Sequence, residues 1–455
     1  MSTGIEKYAR VTPRLILMAV LFLLTGAMFN FYDFFIIGFI NTFISKPWHL
    51  TVAEATWLIA ASGVGLVIGG FVIGYIADLI GRKNALIIST LIYSLFSIIS
   101  AFVPKGAWQL LTIYRFFIGF GVGAAFTVVF PYIAEYAPRN IRGLLTGFVV
   151  IGTPIGTLIA SLSSAYLVHY IGWRGLLLEG GIPLIFVPVI YFGAGESYRW
   201  LINKGKINEA INNIARIYGI PSNNIDLNDI KEVAKRIEKK TRFIELFKYR
   251  RALATSWTIS FMQQLVSYNF TIWGPAILVF VMGVSPHIAS FLFIFVSISG
   301  ILGRITYDLL LDRIGRRLAG FLTSPIAAIM LILAGIFHSV VVSSISIFYV
   351  LALIGYFFLD AAWPILTTYG SEVWPQEVRA SGWGSAYGFG GIGKIIGSIA
   401  IGLLLGEGLT ISPKPKLPGT VPVFLLLGIA MLIAFIAWIF AIEAKGKSLE
   451  EIQSR

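Results

Sequence analysis

The chain has 455 residues, of which 57% are hydrophobic and 13% charged; its net charge is +13 and it contains no cysteine. A water-soluble protein of this length cannot bury so large an apolar fraction, so the chain belongs in a membrane. The missing cysteine excludes disulfides, thiolate nucleophiles and thiolate metal sites.

A helix that crosses a bilayer needs about 20 mostly apolar residues. Twelve such stretches stand out, near 14–40, 53–79, 84–104, 108–136, 141–170, 176–195, 252–282, 286–311, 316–339, 344–373, 379–406 and 420–442. Each run is continuous, whereas a membrane barrel alternates apolar and polar residues over about ten positions. The expected fold class is all-α integral membrane, and the 47 glycines suit closely packed spanning helices. The first stretch is too long for the apolar core of a signal peptide, and no small-residue cleavage site follows it.

With an even span count both termini lie on one side. Of the 35 Lys and Arg, 27 fall on that side, five on the other (Lys46, Lys105, Arg174, Lys414 and Lys416) and three inside spans (Arg115, Arg304 and Lys394). Cytoplasmic loops carry the Lys/Arg excess, so both termini are expected in the cytoplasm and the protein in the plasma membrane. The basic balance then records topology and attraction to anionic lipid, not nucleic acid.

In the first span, "FNFYDFFIIGF" at 29–39 places Asp33 in an otherwise apolar helix. Asp33 lies about 20 residues, or roughly 30 Å, into the span, in its outer half. The fourth span runs inward and has Arg115 near its start, so the two can meet at one depth. A charge at the bilayer centre costs at least a few kcal/mol, so each needs a partner or a function. A fixed structural ion pair competes here with a functional one.

Residues 197–251 are polar, with "KEVAKRIEKKTR" at 231–242. Ile230, Val233, Ala234 and Ile237 recur at helical spacing, so an amphipathic cytoplasmic linker is expected. It divides the chain into a half at 1–196, a linker at 197–251 and a half at 252–455.

Among the later spans, Arg304 and Asp308 are four residues apart and are expected to form a local ion pair. Asp360 and Lys394 lie on the tenth and eleventh spans. They suit a buried pair that fixes packing, or a cation that awaits an anionic substrate. The four histidines fall near the outer ends of spans, so no central histidine relay is expected. The glycine run "GFGVG" at 119–123 sits inside a span without a preceding strand and reads as close helix packing.

The halves repeat. "DLIGRK" at 78–83 returns as "DRIGRR" at 312–317, and "EYAPRNIR" at 135–142 returns as "EVWPQEVR" at 372–379. Repeated halves with a substrate site between them are a recurring plan of secondary transporters.

"GYIADLIGRK" at 74–83 resembles the loop signature of the major facilitator superfamily. "YRFFIGFGVG" at 114–123, "PYIAEYAPRNIRG" at 131–143, "ESYRWL" at 196–201, "FMQQLVSYN" at 261–269 and "EAKGKSLEEI" at 443–452 resemble its sugar-porter-like members. Leu79 and Asp308 depart from the two loop signatures. The resemblance implies 12 transmembrane helices in two pseudo-symmetric halves and secondary active transport by alternating access. It makes Asp33 and Arg115 a proton-coupling pair. It assigns Asp78, Arg82, Glu135, Arg142 and Glu196 to one cytoplasmic gate network, and Asp312, Arg316, Glu372, Arg379 and Glu443 to another.

The same resemblance makes Gln263, Gln264 and Asn269 candidates for substrate binding. Tyr268, Trp273 and Trp363 are aromatic candidates beside them. Val149 and Val150 stand where a sugar-binding Gln would be expected, and Lys394 within "GGIGKIIG" resembles carriers of organic acids or phosphate. "GVGAAFT" at 121–127 replaces the "GGDYP" of a phosphate carrier, which disfavours phosphate. A proton-coupled sugar symporter is therefore expected, with an organic-acid symporter and a facilitative uniporter as alternatives. The expected partners are a small-molecule substrate, protons and lipid, with the protein acting as a monomer. No catalytic constellation gathers at one interface, so neither an enzyme activity nor a cofactor or metal is expected.

Overall fold

The computed structural model describes residues 4–230, 243–375, 378–406, 411 and 419–443. The expected linker helix at 231–242, Lys414 and Lys416, and the chain beyond Glu443 lie outside the described residues. Eleven helices are long and apolar enough to cross a membrane. The first five are α1 (Pro13–Trp48), α2 (Val52–Ile80), α3 (Arg82–Ser100), α4 (Trp108–Tyr136) and α5 (Arg142–Glu179). A shorter apolar helix, α6 (Ile182–Gly193), and two polar ones, α7 (Tyr198–Asn203) and α8 (Ile207–Tyr218), follow. The others are α9 (Arg250–Met282), α10 (Pro286–Ile314), α11 (Arg316–Ile336), α12 (Ile347–Glu372), α13 (Arg379–Leu405) and α14 (Thr420–Phe440). Among the described residues the only strands are Val341–Val342 and Ile345–Ser346, a short hairpin in the loop between α11 and α12.

The sixth expected span, 176–195, is not one helix. The chain turns at Gly172 (φ 65°), inside what otherwise continues as α5. Beyond the turn, Arg174 donates to the Ala101 and Val103 carbonyls at the end of α3, at 2.9 and 3.0 Å. Further on, the Tyr191 carbonyl accepts from Lys83 Nζ at the start of α3, at 3.3 Å. The segment therefore runs the length of α3 in the opposite direction. Gly180, Gly181 and a 3-10 stretch at Ile182–Phe186 interrupt it. Glycine is entropically unfavourable in a helix, and Pro183 lacks an amide hydrogen, which explains the break. Hydropathy registers only the apolar run.

Two loop-signature glycines end helices. Gly81 (φ 100°) separates α2 from α3, and Gly315 (φ 86°) separates α10 from α11. An L side chain rarely adopts such a backbone, so the residue type follows from the turn. Two π-turns, Leu24–Met28 in α1 and Ser163–Leu167 in α5, each insert a residue and re-aim the turn that follows. The first lies just ahead of Asp33.

Burial identifies the innermost helix. In the most apolar window of α9, 94% of residues are buried, against 39–61% for the other ten spans. Every residue of α9 from Gln263 to Val281 is buried, as is every residue of α1 from Asn30 to Thr42. These stretches occupy the part of each helix away from the termini. They approach closely because Gly38 presents no side chain to the Ile272 carbonyl. On the side of the termini packing is looser: of residues 142–151 only Val149 is buried.

The N-terminal segment grips α8. Arg10, Thr12 and Arg14 donate to the carbonyls of Tyr218, Ile217 and Arg216 at 2.5, 2.6 and 2.8 Å. These are the orphan acceptors of a helix end, where cations are also favoured.

Candidate functional site

Lys394 lies buried on α13. Its neighbours Gly391, Gly393 and Gly397 bring α13 against Val67 of α2 and against Leu265 and Asn269 of α9. The side chain is 2% exposed. Its Nζ lies 3.8 Å from the ring centroid of Tyr268 and 5.2 Å from that of Tyr387. Among the described residues it has no hydrogen-bond partner. A ring face contributes about 0.5–2 kcal/mol to a desolvated cation. Burying an unpaired ammonium costs several kcal/mol, which the rings alone do not offset. A charged Lys394 here therefore has no counter-ion among the described residues to offset its burial.

More rings enclose the same point. Phe34 and Phe35 of α1 lie 5.8 and 5.6 Å from Tyr268, and Trp363 of α12 lies 5.6 Å from it. Phe126 of α4 stacks on Tyr387 at 5.3 Å. The two tyrosine hydroxyls are 3.3 Å apart. Both halves therefore contribute flat apolar surface around one cation.

Asp360 does not pair with Lys394. Arg304 of α10 holds it in a bidentate fork, Nε to Oδ2 at 3.0 Å and Nη2 to Oδ1 at 2.8 Å. The third arm, Nη1, donates to Thr153 Oγ of α5 at 2.8 Å. Arg304 is accordingly not the local partner of Asp308, which is exposed. The fixed fork of a guanidinium matches a carboxylate, and only an inward rotamer reaches Asp360. Arg304 and Asp360 balance each other, so any charge on Lys394 is unmatched in this region among the described residues.

The amide nitrogens of the motif donate to protein, while Gln264 Oε1 is buried and unpartnered among the described residues. Gln263 Nε2 donates to the Leu359 carbonyl at 2.7 Å, and Gln264 Nε2 to the Tyr387 carbonyl at 3.0 Å. Asn269 Nδ2 donates to the carbonyls of Leu265 and Lys394 at 2.8 and 3.2 Å, and its Oδ1 accepts from Ser398 at 2.6 Å. These side chains fasten α9 to α12 and α13. Trp363 Nε1 donates to Ser267 Oγ at 2.9 Å, and Trp273 is fully buried with its Nε1 unpartnered among the described residues.

Asp33 and Arg115 are adjacent and both fully buried, but they form no side-chain ion pair. Arg115 donates to the carbonyls of Asp33 and Phe34 at 2.8 and 2.9 Å and to Ser62 Oγ at 3.0 Å. The Asp33 carboxylate accepts from Ser97 Oγ at 2.6 Å, and its Oδ2 is unpartnered among the described residues. The broken segment after α5 makes room for it: a Cβ on Gly180 would strike Asp33 Oδ1. Glu179, the last residue of α5 and next to Gly180, accepts from the Tyr32 and Ser163 hydroxyls, each at 2.8 Å. Sequence reading missed Glu179, although an acidic residue inside the apolar run 176–195 was the signal.

The expected gate residues brace helix ends within each half. Glu196 accepts from the backbone N–H groups of Arg82, Lys83 and Ser197 at 2.9, 3.1 and 2.7 Å. Burial pushes its carboxyl above the ordinary range, while these donors pull it back. Glu443 caps α11 in the same way, from the N–H groups of Arg316 and Arg317 at 3.2 and 3.0 Å. A carboxylate at a helix N-terminus meets orphan donors and the positive end of the dipole. Arg82 lies 3.7 Å from Glu135 and 3.9 Å from the exposed Asp78. Arg316 reaches Asp312 at 3.0 Å and Glu372 at 2.9 Å. Arg142 and Arg379 stand apart from these clusters: Arg142 pairs with Glu6 at 3.1 Å, and Arg379 donates to the Trp374 carbonyl at 3.4 Å. Among the described residues, the bond from Arg304 to Thr153 is the one side-chain hydrogen bond between the halves.

Residues 18–455 match the family model "Sugar (and other) transporter". The chain is 32% identical over 435 residues to the niacin transporter NiaP of Acinetobacter baylyi, covering 94% of each. It is 30% identical over 387 residues to the 4-hydroxybenzoate transporter PcaK of the same species, covering 81% of this chain and 80% of PcaK. The xylose transporter XylE from E. coli, in a partially occluded inward-open conformation, superposes with a TM-score of 0.77 at 22% identity, covering 96% of this chain and 100% of XylE. The chain therefore belongs to the sugar (and other) transporter family of the major facilitator superfamily, as a multi-pass membrane transporter and not an enzyme.

Proposed function

We propose that this transporter is a proton-coupled symporter of a small aromatic monocarboxylate, moved by alternating access of halves 1–196 and 252–455 around the linker at 197–251. The observation that carries this reading is the unpaired Lys394 among facing aromatic rings. The stacked rings of Phe35 with Tyr268 and Phe126 with Tyr387 offer faces to a planar ring, and a single carboxylate would balance a charged Lys394 beside them. Two relatives, 32% and 30% identical, bear the names of carriers of such acids: niacin and 4-hydroxybenzoate. The amide N–H groups of Gln263, Gln264 and Asn269, which a sugar site would use, already donate to protein, which favours the acid, although Gln264 Oε1 is unpartnered among the described residues. Asp33 of α1 carries the coupling proton, with Glu179 one residue before the Gly180 that packs against it, and the carboxylate-capped helix ends at Glu196 and Glu443 keep each half rigid as it moves. The protein lies in the plasma membrane with both termini in the cytoplasm, as the Lys/Arg asymmetry supports. The test is uptake into proteoliposomes of labelled nicotinate, 4-hydroxybenzoate and xylose, with and without an inward proton gradient. Gradient-driven accumulation of the acids and not of xylose supports the reading; the reverse pattern refutes it.

A further inference from the structure

We propose that Lys394 binds a proton together with each substrate anion, separately from the proton on Asp33. This rests on the monocarboxylate reading and adds a second proton to it. The argument begins with how the two central cations are treated. Arg304 cannot shed its charge, and it has a permanent counter-ion in Asp360, through a bidentate fork. Lys394 can shed its charge, and it has none.

The groups around Lys394 leave its charge unbalanced. From α9 it faces Tyr268 and from α13 Tyr387, both neutral phenols whose hydroxyls meet each other. Asp360 of α12 and Arg304 of α10 cancel one another. The first half adds Phe34, Phe35 and Phe126 around those tyrosines, none of them titratable. Asp33 and Arg115 are engaged with Ser97 and with the α1 backbone. In such surroundings the neutral amine is the form that fits without a ligand, and the ammonium is the form that fits with a carboxylate beside it.

Loading then balances as follows. The amine lone pair of Lys394 takes a proton from the medium, forming an N–H bond, as the carboxylate arrives. On the other side the carboxylate leaves and the proton follows. The pair crosses without net charge, and any proton on Asp33 moves in addition. Asn269 acts here as a positioning residue, because it ties the Lys394 carbonyl to α9 and to Ser398.

The test is titration calorimetry of the purified full chain with nicotinate at about pH 8, where the free carboxylate is ionised, in buffers of different ionisation enthalpy. Uptake of about one proton per bound ligand is expected in wild type and in D33N. K394R, whose charge is permanent, is expected to bind without uptake. Binding by wild type with no proton uptake overturns the proposal while leaving the substrate reading intact. Uptake that vanishes in D33N, or persists in K394R, also overturns it. No binding of nicotinate, 4-hydroxybenzoate or benzoate by wild type overturns the monocarboxylate reading and this proposal with it. Should K394R fail to fold, the wild-type and D33N results decide alone.

Discussion

Arg115 holds Asp33 by its backbone, not by its carboxylate. The guanidinium donates to the carbonyls of Asp33 and Phe34, and the acid is left to Ser97 with one oxygen unpartnered among the described residues. Arg115 thus fixes α1 through its backbone, and the Asp33 carboxylate is left outside that contact, as the proposed proton-carrying role requires. On the proposed cycle, Asp33 would load and release its proton without Arg115 letting go of the helix.

From this separation, D33N should retain substrate exchange between equal compartments and lose gradient-driven accumulation. R115A should lose both, because two buried carbonyls and Ser62 lose their donor, at about 1–3 kcal/mol for each unsatisfied group. Thermal unfolding in detergent distinguishes the two variants: D33N should melt close to wild type and R115A well below it.

The pair between Arg304 and Asp360 leads to a second expectation. Removing one member of a buried pair costs about 3–5 kcal/mol, whereas removing both can be nearly neutral. D360N should therefore unfold far more readily than wild type, and R304Q/D360N should recover most of the loss. A double-mutant cycle on unfolding midpoints checks this, and additive losses would contradict it.

Thr153 accepts the hydrogen bond that joins the halves on one side of the cycle. In this state α1 and α9 are sealed away from the termini. T153V should cost about 1 kcal/mol in that state alone, which shifts its population about fivefold. The chain has no cysteine, so single-cysteine reporters need no prior substitution. Labelling on the side away from the termini should rise in T153V; unchanged labelling would show that the bond does not weigh on the cycle.

Backbone geometry gives a fourth test. G81A forces an alanine into φ 100° and drives its Cβ onto Glu196. The conformational part costs about 1–2 kcal/mol. G143A, whose Cβ meets nothing within 4 Å, should stay within about 0.5 kcal/mol of wild type. Comparison of their unfolding midpoints decides.

The spans and loop motifs were legible because apolar length and glycine turns are local properties. The break at Gly180 and Gly181 was not, since an apolar run scores alike whether or not it is one helix. Partner choice was the least legible. Spacing of four residues points Arg304 to Asp308, but the structure brings it to Asp360 and Thr153 on two other helices. The amide motif of α9 was legible as a pattern, but not the carbonyls of α12 and α13 to which its nitrogens donate. Lys394 was singled out as an odd cation, but the rings that give it a role lie on α9, α13 and, beyond them, α1 and α4, and only packing assembles them.

The most direct measurement compares an acid with its isosteric amide. Equilibrium binding of nicotinate and nicotinamide should differ by about 10–100-fold in wild type, the range of a charge-assisted hydrogen bond. The difference should collapse in K394Q. Equal binding of acid and amide by wild type, or an undiminished preference in K394Q, would contradict the assignment of Lys394 as the carboxylate anchor.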